Sequence, residues 1–210
     1  MRKMKNVLRI LVIVPVFFLL FSCNPLEDDS KSDSMLIVVS IVGTDVEENE
    51  VNFLQSDVVK INVDSGEATV AADSAKVTFT AKMLDPAPAF GTSHYSNITV
   101  DRYVVSYVRS DGKNLQGVDV PYSFEGSMSA YVELDSQIEA AFVVVRAVAK
   151  LEPPLINMRE GRGDGELHTT AKIDFYGNDN LGNKVKATGY LSVFFANYVT
   201  EEESSGGGGN

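Results

Sequence analysis

Residues 170–195, TAKIDFYGNDNLGNKVKATGYLSVFF, decide the fold. In the first part Ala171, Ile173 and Phe175 alternate with Thr170, Lys172 and Asp174. In the last part Val185, Ala187, Gly189, Leu191, Val193 and Phe195 are set against Lys184, Lys186, Thr188 and Ser192. Successive side chains of an extended chain point to opposite faces, so this period of two writes one apolar and one polar face onto each segment. Between them lies GNDNLGN (177–183), whose glycines and asparagines supply the positive φ angles a turn requires. The stretch predicts two long, half-buried strands joined as a hairpin.

The same pattern extends outward. Val77, Phe79, Ala81 and Met83 alternate with Lys76, Thr78, Thr80 and Lys82. Residues 140–150 (AAFVVVRAVAK) are apolar at consecutive positions, which predicts a central strand covered on both sides. Further strands are expected at 36–42, 51–63, 98–109, 118–123 and 128–134. Asp111-Gly112 predicts a tight hairpin after residue 109, and Asp64-Ser65-Gly66 predicts a second turn. Pro153-Pro154 ends the central strand, with a long loop expected from there to Gly165. No window carries a clean helical period. An all-β domain over residues 35–200 follows, built as a two-sheet antiparallel sandwich of immunoglobulin-like type, with a barrel as the alternative. The chain has no Trp and a single cysteine, so the antibody pattern of a disulfide packed on Trp is excluded.

Upstream of this body the sequence changes character. Residues 1–9 (MRKMKNVLR) are basic, and Ile10 to Phe21 are apolar apart from Pro15, the organisation of a cleaved secretory signal helix. Twelve helical residues rise about 18 Å, short of the roughly 30 Å hydrocarbon core. The run ends in Leu20-Phe21-Ser22-Cys23, which resembles the lipobox of bacterial lipoproteins. That resemblance implies a diacylglyceryl group on the Cys23 sulfur, cleavage between Ser22 and Cys23, and acylation of the new amino terminus. An ordinary signal peptide or an uncleaved anchor are the alternatives. A lone cysteine suits lipidation, because a free thiol on an exported protein otherwise invites oxidation or mispairing. Residues 24–34 (NPLEDDSKSDS) read as an acidic flexible tether, and 201–210 (EEESSGGGGN) as a disordered tail. By analogy with Gram-negative sorting, Asn24 in place of Asp favours the outer membrane over the inner. The acidic residues of the tether also resemble surface-export signals, so the exposed leaflet stays open.

Charge narrows the partners. The chain carries 29 acidic and 18 basic residues, a net −11, and removal of residues 1–22 leaves −15. Nucleic acid is thereby excluded as a partner, since phosphate binding needs a surplus of Lys and Arg. Anionic headgroups repel such a surface, so membrane attachment rests on the covalent lipid.

Three segments, YVVSYVRSDGKNLQGVDVPYSF (103–124), AKLEPPL (149–155) and IDFYGNDNLGNKVKATGYLSVFFANY (173–198), resemble uncharacterised bacterial envelope lipoproteins. The last, with its G-x-D-x-x-G-N turn, is also similar to closing hairpins of bacterial immunoglobulin-like domains. The resemblance implies a sandwich and carries across no activity and no functional residue.

Six features could carry chemistry. His94 and His168 are the only histidines, too few for an ordinary zinc site. Ser110-Asp111-Gly112-Lys113 has Ser-x-x-Lys spacing but lies in turn sequence rather than on a helix. The oxygen-rich set Asp174, Asn178, Asp179 and Asn180 is the candidate calcium site, since calcium takes six to eight oxygens in flexible geometry. The competing reading is turn chemistry. Tyr103, Tyr107, Tyr122, Tyr131 and Tyr190 are candidates for an aromatic sugar platform or for ordinary strand packing. Arg162-Gly163-Asp164 and Asn97-Ile98-Thr99 are short motifs that recur by chance. The expectation is a non-enzymatic, lipid-anchored envelope protein with no cofactor, its domain a binding or structural module for an envelope protein or glycan. A carbohydrate-binding module, calcium-assisted, is the alternative.

Overall fold

The computed structural model describes residues 32–61, 68–88, 91–159 and 165–198. The body is mostly β, 59% strand against 9% helix. Its strands are β1 (Ser34–Thr44), β2 (Glu50–Val51), β3 (Phe53–Asp57), β4 (Lys60–Ile61), β5 (Ala68–Thr69) and β6 (Asp73–Met83). They continue with β7 (Ile98–Val108), β8 (Phe124–Val132), β9 (Gln137–Val145), β10 (Glu166–Asp179) and β11 (Lys184–Ala196). One sheet runs β2-β1-β6-β9 and is antiparallel; the other runs β3-β11-β10-β7-β8; β4 and β5 form a small ladder of their own.

The alternating residues face inward as their spacing requires. Val77, Phe79 and Ala81 of β6 and Ala171, Ile173 and Phe175 of β10 are fully buried. The sheets meet face to face through aromatic edges: Phe79 lies 4.9 Å from Phe175, and Phe142 of β9 lies 5.3 Å from both Phe175 and Tyr103. Such T-shaped pairs set the positive ring edge on the negative face of the neighbour.

The hairpin over 170–195 forms in register, with Ala171 opposite Leu191 and Phe175 opposite Ala187. Its turn closes through Asp179 N–H to the Asn183 carbonyl at 2.9 Å, with Gly182 at φ 89°. A β-carbon is strained at that φ, which accounts for the glycine.

Several expectations are corrected. The second sheet is mixed, not antiparallel, because β3 runs parallel to β11. The chain leaves the first sheet after Val51, opposite Gly43, and joins the second at Phe53, opposite Ser192. Its direction is therefore set by the crossing between sheets and not by a hairpin with its neighbour. The strand expected over 51–63 is accordingly broken into β2, β3 and β4. The strand expected over 140–150 is no central strand: β9 ends at Val145 and forms an edge. Its apolar run is continuous because the second half, Ala147–Leu151, is a 3-10 turn that buries Ala149 and Lys150.

After β7, Gly112 does turn the chain, at φ 81°, but the partner strand β8 begins only at Phe124. The tight hairpin expected at Asp111-Gly112 is thus a long loop. Residues 118–123 belong to it, with a bridge between Gln116 and Val120 around a turn. Part of the loop expected before Gly165 is a short helix, Leu155–Arg159. Ser32 and Ser34, ahead of Met35, are buried. The turn at Asp64-Ser65-Gly66, the signal segment and the tail lie outside the described residues.

Candidate functional site

Cys23 and Ser22, the lipidation and cleavage residues, lie outside the described residues. What the structure gives is the place where the chain enters the body. The Ser34 hydroxyl donates to the Ser96 carbonyl at 2.7 Å, and the Ser32 and Ser34 hydroxyls lie 3.1 Å apart. The Ser32 hydroxyl also bonds the carboxylate of Asp179 in the β10–β11 turn. The first strand is therefore pinned at its start to two separate loops.

Asp179 is the centre of this junction. Its carboxylate accepts the N–H groups of Leu181 (2.9 Å) and Asn183 (2.8 Å) and the Asn183 side-chain amide (2.9 Å). Burial pushes its pKa up, but these hydrogen bonds and that of Ser32 outweigh burial and hold it below the ordinary 3.8.

The calcium candidates are thereby accounted for, and they do not converge. Asp174 lies on β10, where it accepts from Thr188 at 2.6 Å and meets Lys186 at 3.1 Å and Lys172 at 3.4 Å. Burial pushes this carboxyl up, and the Thr188 and Lys186 hydrogen bonds with the Lys172 charge bring it below its ordinary value. Asp179 belongs to the opposite parity of the strand and is spent on the turn. Asn178 donates weakly to Asp101 at 3.4 Å, and the Asn180 amide donates to the His94 carbonyl at 2.8 Å. Four strand steps, about 13 Å, separate Asp174 from Asn178. In this geometry the four residues serve turn and ladder hydrogen bonds and ion pairs.

The five candidate tyrosines do not share one face. Tyr103 and Tyr107 are buried in the core. Tyr131 and Tyr190 are exposed but sit on β8 and β11, with β10 and β7 between them, a lateral separation of about 14 Å. Tyr122 lies on the β7–β8 loop. The two buried hydroxyls serve the backbone instead. Tyr103 accepts the Val143 N–H at 3.2 Å, and Tyr107 donates to the Val144 carbonyl. Both partners lie on edge strand β9 at its register shift against β6, where Val144 is passed over between Val143 and Val145, so tyrosines from the facing sheet satisfy backbone groups where the ladder is interrupted. Burial raises the pKa of both phenols.

The remaining motifs are local. His168 lies 2.9 Å from Glu166, and its ring lies 4.7 Å from that of Phe194; His94 stacks near Tyr95. Asp111 of the Ser110–Lys113 segment pairs with Arg109 at 2.7 Å. Asn97 is buried, donating to Tyr131 at 2.9 Å and accepting from Leu134 N–H at 3.1 Å. Arg162-Gly163-Asp164 lies outside the described residues. Among the described residues no group of three or more His, Cys, Asp or Glu is placed to hold a metal.

One polar cluster has no counterpart among the sequence expectations. Lys150 is 1% exposed, and its ammonium meets Asp73 at 2.8 Å and the Asp57 carbonyl at 2.7 Å. The Ser56 hydroxyl donates to the same Asp73 oxygen at 2.6 Å. Asp73 and Asp57 also line a cleft of about 400 Å³ with Asp45, Glu48 and Gln55. This cleft lies at the end of the sheets opposite Ser32. A lysine closing an apolar run was the available signal, and spacing alone assigns it no partner.

No protein-family model matches the chain, and no curated protein matches it.

Proposed function

We propose that the chain is a lipid-anchored protein of the bacterial cell envelope whose β body is an immunoglobulin-like sandwich acting as a non-enzymatic binding or structural module. The observation that carries this reading is Leu20-Phe21-Ser22-Cys23 at the end of the apolar run, nine residues before Ser32, where the described body begins. Strand order supports the immunoglobulin-like assignment. In chain order β1, β6 and β9 stand where strands A, B and E stand in that fold, and β7, β8, β10 and β11 where C, C′, F and G stand.

The anchor would hold the Ser32 end. The opposite end, with the acidic cleft and the β7–β8 loop whose Leu115 and Val118 are exposed, is then the end free to meet an envelope partner. Intact mass of the detergent-extracted protein tests the reading. It predicts a species that begins at Cys23 and carries acyl chains; a soluble species without acyl mass contradicts it.

A further inference from the structure

The end of the body where the chain enters carries large apolar side chains that the core does not use. Leu84 follows β6 and donates its N–H to the Asp33 carbonyl at 2.8 Å. Leu181 sits in the turn whose Asp179 bonds Ser32, and the neighbouring Asn180 N–H donates to the carbonyls of Tyr95 and Asn97, each at 3.1 Å. Leu84 and Tyr95, from the two ends of the β6–β7 connection, and Leu181, from the β10–β11 turn, therefore lie on segments that meet the chain at residues 32–34. Their exposures are 55%, 52% and 64%. Single exposed apolar residues need no explanation, whereas three on segments that meet at one end of the body offer a contact surface. A tight turn gains nothing from leucine, since Asn, Asp and Gly serve it better.

The covalent chain limits what can cover this end, and the argument rests on the lipid-anchor reading. From Cys23 to Ser32 there are nine peptide steps, which span about 30 Å at full extension. An acylated Cys23 sits at the bilayer surface, so the Ser32 end is the end held within reach of it. We infer that this end is a lipid-contacting face: Leu84 and Leu181 enter the interfacial layer, and Tyr95 lies there with its ring in the apolar part and its hydroxyl in water. The lipid thus fixes orientation as well as location. Among the described residues the rim carries Asp33, Asp85 and the Lys82–Asp135 pair with Lys184, and no basic patch. Contact is apolar, favours zwitterionic lipid and is weakened by anionic lipid.

The test uses the full-length lipoprotein, processed in cells and reconstituted into phosphatidylcholine vesicles. Single cysteines replace Leu84, Leu181 or, at the opposite end, Leu115, and each carries an environment-sensitive fluorophore; the Cys23 sulfur is already occupied by its thioether. The expected result is blue-shifted emission at positions 84 and 181, quenched several-fold more by doxyl-labelled lipid than at 115. A protein that floats with the vesicles while all three probes are equally quenched or equally exposed overturns the face and leaves the anchor standing. A blue shift without lipid quenching, accompanied by crosslinking between copies, assigns the face to a second copy and overturns the lipid contact. Failure to float removes the anchor and the face together.

Discussion

Lys150 states the problem of this fold at the scale of one residue. An ammonium at 1% exposure is tolerable only because Asp73 and the Asp57 carbonyl meet it. Removing one partner leaves the other charge buried, so Lys150→Ala is expected to cost about 3–5 kcal/mol. Lys150→Met combined with Asp73→Leu should recover much of that loss, and urea denaturation of the single and double variants checks both. Asp179 carries the second residue-scale prediction. Its folded pKa lies below the ordinary 3.8, so its contribution is present above that value and is lost as pH falls through the folded pKa. Thermal stability measured from pH 5 to pH 2.5 should therefore fall less steeply in Asp179→Asn than in the parent. The variant should also be weaker by about 1–3 kcal/mol at neutral pH, having lost charged hydrogen bonds to the turn. Turn chemistry at Asp179 was legible in the sequence, because its partners lie within four residues. The Lys150–Asp73 pair was not, because it joins positions far apart in the chain that only tertiary folding brings together.

At the scale of the element, edges explain what spacing left open. The 166–196 hairpin was legible because alternation and turn residues are both local signals. The parallel pairing of β3 with β11 depends on where the chain crosses between sheets, and no period encodes that. Consecutive apolar residues predict a central strand at β9; instead it is an edge, and Tyr103 and Tyr107 hold it where its register against β6 shifts. Gly126 is part of the same device. A β-carbon there would stand 2.3 Å from the Tyr103 ring, so only glycine lets the phenol pass over β8 to the β9 backbone. Gly126→Ala should displace the ring and cost about 1–3 kcal/mol, with faster amide exchange at Val143 as the specific readout. Tyr107→Phe removes the donor to the Val144 carbonyl and should cost about 1–3 kcal/mol by leaving it unpaired, read by urea denaturation. Equal stability of both variants with the parent would contradict the edge account.

At the scale of the whole molecule, two packed sheets with a shared aromatic core give a body with two unlike ends. One receives the chain at Ser32 and carries the exposed Leu84, Tyr95 and Leu181; the other carries the acidic cleft and the long β7–β8 loop. Strand parity sets Asp174 and Asp179 on opposite faces, and burial and strand order disperse the tyrosines, none of which residue composition encodes. The lipobox reading does not depend on that geometry. Its energetic basis is that each buried CH₂ contributes about 0.8 kcal/mol, so two or more acyl chains hold a protein where one does not. The measurement that tests it most directly is labelling in cells with an alkyne-tagged fatty acid, comparing the parent with Cys23→Ala, followed by membrane flotation. The account predicts that the parent takes up label and floats, and that Cys23→Ala takes up none. A parent that stays unlabelled and soluble would contradict the anchor and the orientation built on it.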